Sequence, residues 1–108
     1  MGWNLLEDEN QLQVLIEKSY SKPQAIFKHS TRCIISTLAK SRVEKFSENF
    51  IDVYYLDLIA YRNLSNSIAD KFSIHHQSPQ ILIIKNGECI FDESHGGINI
   101  DDFLQFKN

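Results

Sequence analysis

The sequence has little of what usually braces or addresses a small protein. Two cysteines among 108 residues are too few for a disulfide scaffold. The four histidines and two cysteines contain no pair at the close spacing of a zinc knuckle. His75 and His76 are adjacent, and adjacent residues point apart on a strand, so no metal centre is expected. The net charge of −3 is spread along the chain without a basic stripe. A nucleic-acid surface needs clustered Lys and Arg to displace counterions, so no nucleic-acid partner is expected. No apolar run reaches the length of a membrane span. The opening Met1-Gly2-Trp3-Asn4 lacks the basic start and apolar run of a secretory signal. The expectation is a cytoplasmic protein without a membrane partner. Four glycines and two prolines fall at element boundaries, and no linker, repeat or low-complexity stretch divides the chain. One domain over residues 1–108 is expected, with 43% hydrophobic residues to fill its core.

What is present is alternation. Residues 8–20 read as a helix begun by Asp8 or Glu9, with Leu12, Leu15, Ile16 and Tyr20 at helical spacing. Pro23 then blocks continuation. Residues 24–29 form a short buried-strand candidate, and residues 33–48 return to helical spacing. Residues 51–58 are branched and aromatic and read as a strand. Arg62 to Phe72 reads as a helix with Leu64, Ile68, Ala69 and Phe72 inward. Pro79 opens a second near-continuous apolar strand, and Asn86-Gly87 is the chain's clearest hairpin signal, leading into Glu88 to Asp92. Asn99 or Asp101 can cap a last helix carrying Phe103, Leu104 and Phe106. Alternating strands and helices demand parallel strands with right-handed crossovers, and the terminal hairpin makes the sheet mixed. The predicted fold is α/β and thioredoxin-like. Its central mixed sheet has four strands, or five if Trp3 to Leu6 adds an edge, with helices on both faces.

Cys33 stands where this plan concentrates chemistry, between a buried strand and a helix start. The first helical N–H groups lack intrahelical partners and carry the positive end of the dipole, which favours thiolate over thiol. Thr31 and Ser30 are cap-type residues, Arg32 and Lys28 add positive charge, and Ser36 can turn its hydroxyl and N–H back towards the sulfur. These terms lower a thiol pKa from its free value of about 8.5 and make Cys33 the candidate nucleophile. The bland alternative is a small buried apolar residue. A dithiol redox protein would have a second cysteine where Ser36 stands. Cys89 follows the hairpin tip, roughly 16 Å from Pro79 at 3.3 Å per residue, beyond the reach of a disulfide. It is expected in the core or on an edge strand.

Pro79 sits at a strand's first position, where a missing N–H is tolerated. The isomer of Ser78-Pro79 stays open. If cis, it would let the Ser78 backbone face the sulfur and pair with an incoming substrate strand. Gly96-Gly97 is either a close-approach loop whose N–H groups receive an anion or a plain turn. His29, His75, His76 and His95 are acid–base candidates by residue type, with His29 nearest Cys33 in sequence. Asp57 either faces the cleft or caps the next helix. Tyr54 and Tyr55 read as core.

Three segments together resemble a known family. They are Ala25-Ile-Phe-Lys-His-Ser-Thr-Arg-Cys33-Ile-Ile-Ser36, His76-Gln-Ser-Pro-Gln-Ile-Leu-Ile-Ile-Lys-Asn-Gly87 and Ser94-His-Gly-Gly-Ile98. The chain is similar, from Trp3 to Phe106, to the YtxJ family of thioredoxin-fold monothiol bacilliredoxins. The resemblance implies removal of bacillithiol from protein mixed disulfides. Cys33 would be the attacking thiol and Pro79 the cis-proline, with Ser36 three residues after the cysteine. It implies S-thiolated proteins as partners and a low-molecular-weight thiol as co-substrate, with no other cofactor. Bacillithiol carries a malate, and Lys28, Arg32 and the helix start are hosts for its two carboxylates. Ser78, Gly96 and Gly97 complete the substrate-binding set. One departure is plain: the family usually has proline after the cysteine, whereas Ile34 here restores an N–H near the sulfur. The expected function is monothiol–disulfide exchange at Cys33. Its rivals are a non-catalytic thioredoxin-fold binding module and a single-cysteine redox sensor.

Overall fold

A computed structural model describes residues 3–29, 50–94, 98 and 101–106. The predicted helix over 33–48 lies outside these residues. The described elements are β1 (Trp3–Leu5), α1 (Glu9–Lys18), β2 (Gln24–His29), β3 (Asp52–Asp57), α2 (Arg62–Phe72), β4 (Gln80–Lys85), β5 (Glu88–Ser94) and α3 (Asp101–Leu104). The strands form one five-stranded sheet in the order β1-β3-β2-β4-β5. β3 runs parallel to both β1 and β2, while β4 is antiparallel to β2 and β5. The fold is therefore the expected α/β arrangement around a mixed sheet, with the edge strand at Trp3–Leu5 present.

Burial follows strand position. β2 lies in the middle, and all six of its residues are buried. A strand covered on both faces has no solvent side, so its sequence does not alternate. Ile26 faces a layer made by Leu12 and Leu15 of α1, Leu64 and Ile68 of α2, and Leu82 and Ile84 of β4. Ala25 and Phe27 face the opposite layer with Val53, Ile81, Ile83, Ile98 and Phe103. β5, at the edge, exposes alternate residues. Its register slips between Ile83, paired with Phe91, and Ile84, paired with Cys89. Ile90 is the extra residue of this bulge and is 46% exposed. A bulge rotates the strand by one residue. Cys89 therefore packs with the α1–α2 layer and Phe91 with the other, although they are two residues apart.

Asp8 starts α1: its carboxylate accepts from the Gln11 N–H at 2.8 Å, and Gln11 Oε1 accepts from the Glu7 N–H at 2.6 Å. The helix stops at Lys18, before Pro23 is reached. Tyr20 is consequently not on its inner face; the ring is 64% exposed and lies against Gly87. The stop comes from the hairpin. Asn86 and Gly87 adopt positive φ, 54° and 78°, as a two-residue turn between antiparallel strands requires. Their N–H groups donate to the Ser19 carbonyl and Ser19 Oγ, both at 2.9 Å. Ser19 Oγ–H donates in turn to the Ile16 carbonyl. Ser19, 1% exposed, thus clips the end of α1 to the tip of the hairpin. Ser19→Ala leaves the Gly87 N–H without its acceptor and should lower stability by about 1–3 kcal/mol. Urea unfolding of the two proteins at neutral pH measures the difference.

Candidate functional site

The carboxyl ends of β2 and β3 and the start of β4 meet at one edge of the sheet. His29 pairs with Asp57, and Lys28 pairs with Gln80, immediately after Pro79. The Leu58 N–H donates to the His29 carbonyl at 3.0 Å and carries the β2–β3 ladder to its end. Open α/β sheets place ligand sites at the carboxyl ends of their parallel strands. Cys33 is four residues beyond His29 in sequence. Cys33, Thr31, Arg32, Ser36, Gly96, Gly97 and His95 all lie outside the described residues.

The Ser78-Pro79 peptide bond is cis, and Pro79 is buried at the entry to β4. Ser78 Oγ is a buried hydroxyl with no hydrogen-bond partner among the described residues. Asp57 Oδ1 accepts from the N–H groups of Ile59 and Ala60, at 3.1 and 3.4 Å. Its carboxylate is thus held by the turn into α2, where Tyr61 supplies no side-chain cap. On the other side of β2, the His29 ring lies 5.9 Å from Phe27 and 5.3 Å from Tyr55, centre to centre. His29 is 3% exposed and belongs to an aromatic cluster.

Lys28 occupies a different environment from the one its sequence neighbourhood suggests. It is 0% exposed and points into the α1–α2 layer rather than offering its charge at the surface. Its Nζ donates to the Ser65 carbonyl at 3.1 Å and lies 3.3 Å from His76 Nδ1. Ser65 Oγ is 3.4 Å from the same nitrogen. Burial pushes the Lys28 ammonium down from 10.5 to about 8. The His76 imidazole is held below its usual range, first by burial and then by the charges of Lys28, Arg62 and His75. Ser65 and His76 therefore join the site through Lys28. Ser65 was the residue sequence reasoning missed as a partner. Its signal was position: it falls among Leu64, Ile68 and Phe72, on the helix's apolar side.

Cys89 is at the other end of the sheet. It pairs with Ile84, four residues along β4 from Gln80, or about 13 Å at strand rise. The free thiol packs against the core and donates to the Phe91 carbonyl at 3.3 Å. Burial pushes it up, and the Asp92 charge adds to that. A thiol held protonated is a poor nucleophile.

The Lys28 arrangement has a measurable consequence for stability. Folding lowers its pKa, so between pH 8 and 10.5 the unfolded chain binds more protons than the folded one. Stability contributed through this group therefore rises with pH across that window. Relative to Lys28→Met, the wild type should gain about 3 kcal/mol between pH 7 and pH 10.5. Paired denaturation curves at the two pH values check this.

Comparison with known proteins agrees with this geometry. One solved structure, provisionally described as an oxidoreductase with a thioredoxin fold, is 34% identical, with a TM-score of 0.87 over 99% of this chain and 95% of its own. Malassezia sympodialis thioredoxin superposes with a TM-score of 0.74 at 15% identity, covering 97% of this chain and 86% of that one. Fasciola hepatica thioredoxin gives 0.71 at 17%, covering 94% and 93%. These two show the shared fold. No helix among the described residues is long and apolar enough to cross a membrane. The family model for the monothiol bacilliredoxin BrxC matches residues 4–103. The chain thus belongs to the monothiol bacilliredoxin BrxC family, a thioredoxin-fold redox protein with a thiol–disulfide role.

Proposed function

We propose that the protein removes a low-molecular-weight thiol, bacillithiol, from mixed disulfides on other proteins, using Cys33 alone. The observation that carries this reading is the position of Cys89. With Ser36 three residues after Cys33, and Cys89 half-buried about 13 Å along β4 from Gln80, the chain has no second thiol placed to close an internal disulfide. The cycle must then use an external thiol. The Cys33 thiolate attacks the sulfur of the small thiol in the mixed disulfide. A Cys33–small-thiol disulfide forms, and the protein's sulfur leaves as thiolate and takes a proton. A second free thiol of the same class attacks that adduct, regenerates the Cys33 thiolate and leaves as a small-molecule disulfide. Two electrons pass from the free thiol to the target protein.

The remaining residues have supporting roles. Arg32, Thr31, Ser36 and the helix start stabilise the thiolate. Ser78 and Pro79 line the place where the modified protein lies. Because the Lys28 ammonium is engaged with Ser65 and His76, the anionic end of the small thiol falls to Arg32 and the Gly96-Gly97 loop. The partners are S-thiolated proteins, and no further cofactor is required.

Intact-mass measurements over time test this. Reduced protein is mixed with a bacillithiol-modified target, and in parallel with a glutathione-modified one. The adduct mass should move to the wild type and to Cys89→Ser, faster from the bacillithiol target, and not to Cys33→Ser. If no mass leaves either target while Cys33→Ser still binds it, the protein is a binding module. If the adduct on Cys33 persists against excess free thiol, it is a sensor.

A further inference from the structure

The Lys28–Ser65–His76 cluster is unusual for its setting. A primary amine with no solvent exposure lies beneath a helix, with a backbone carbonyl and an imidazole nitrogen as its partners. Among the described residues no carboxylate bonds to it. An ammonium only donates hydrogen bonds, so a nitrogen that meets it at 3.3 Å must present a lone pair. The Ser65 hydroxyl approaches the same nitrogen and can donate to it as well. Nδ1 of His76 therefore carries no proton, and the ring's hydrogen resides on Nε2. The Nδ1 edge faces the buried amine, and His76 is half-buried. Its Nε2 edge is the one turned away from the amine. His76 lies two residues before Ser78, on the segment that delivers the chain into Pro79 and β4.

We propose that Lys28 is a positioning residue that fixes His76 as an uncharged Nε2–H donor beside Ser78-Pro79, where it binds a carbonyl or carboxylate oxygen of the thiolated protein. The recognition half of this proposal rests on the transfer reading above; the tautomer half does not. The arrangement gives the mouth of the site a hydrogen-bond donor without a second positive charge beside the buried ammonium. Among the described residues, three cationic or titratable groups act on the imidazole. They are Lys28 from β2, Arg62 from α2 and His75 from its own segment, and all three disfavour a positive charge on the ring. Of these three only Lys28 touches that nitrogen, and an ammonium, unlike the Ser65 hydroxyl, can only donate to it, so Lys28 selects the tautomer.

Long-range proton–nitrogen NMR of the histidine rings in the full chain tests the first half. In the wild type His76 should show one tautomer, Nε2–H, across neutral pH. In Lys28→Met the tautomers should mix, and the midpoint should rise towards the ordinary histidine range. In Arg62→Gln the midpoint should move without release of the tautomer. If Lys28→Met does not fold, the wild-type spectrum still decides, because an Nδ1–H or averaged ring overturns the assignment. Release of the tautomer by Arg62→Gln overturns it too. The second half is read in the transfer assay. His76→Leu should slow transfer about tenfold, the weight of one hydrogen bond. His76→Gln, whose amide nitrogen mimics Nε2–H, should restore most of the rate, and alkylation of Cys33 by a small reagent should be unaffected in both. Equal transfer by His76→Leu and wild type overturns the recognition role. Failure of the wild type to transfer at all counts against the transfer reading and leaves the tautomer result standing.

Discussion

The complete burial of β2 is the constraint on which the rest of the structure depends. A strand with six enclosed residues must lie between neighbours and be covered on both faces. That requirement sets the parallel ladder to β3 on one side and the antiparallel ladder to β4 on the other. It also gives the polar members of the strand obligations that a surface strand would not have. Gln24 meets the donor half of its obligation, its amide N–H group donating to the Asp52 carboxylate, which also accepts from Lys22. Burial raises the Asp52 pKa, but the bonds from Lys22 and Gln24 and the charges of Lys22 and Lys18 outweigh it, so the carboxyl stays below its usual range. Lys28 meets its own through Ser65 and His76. One end of β2 is thus anchored by a charge pair and the other by a charge held in a neutral cage. The second end is where the chain leaves for Cys33.

The distribution of the two thiols follows from the same layering. The bulge at Ile90 turns Cys89 towards the α1–α2 layer, where partial burial pushes its thiol pKa up. The hairpin that carries Cys89 is tied at its tip to Ser19, at the end of the sheet away from Ser78-Pro79. The fold therefore separates the Cys89 thiol, with its raised pKa, from the edge where β2 and β3 end and β4 begins. The monothiol cycle we propose rests on that separation together with Ser36.

Much of this was legible in the sequence because the signals were local. Asn86-Gly87 specified its turn through two positive-φ positions, and Arg62 to Phe72 through its apolar spacing. Pro79 marked the start of a strand. Tyr20 was misjudged because helical spacing continues past Lys18, whereas the helix ends where the hairpin takes the Ser19 carbonyl. Lys28 was legible as a cation close to Cys33 in sequence, but not as a buried one. Its partners come from α2 and from the segment before β4, 37 and 48 residues away. A lysine inside a wholly apolar strand and a serine on an apolar helix stripe are each anomalous alone, and each explains the other once the elements are packed.

The central claim is that Cys33 is the reactive thiol and Cys89 is not, and site-resolved alkylation as a function of pH tests it most directly. With both thiols in one molecule, iodoacetamide should label Cys33 with a midpoint well below the free-cysteine value of about 8.5, and should label Cys89 slowly with a midpoint above it. A Cys33 midpoint at or above 8.5, or Cys89 reacting at a comparable rate, would contradict the account.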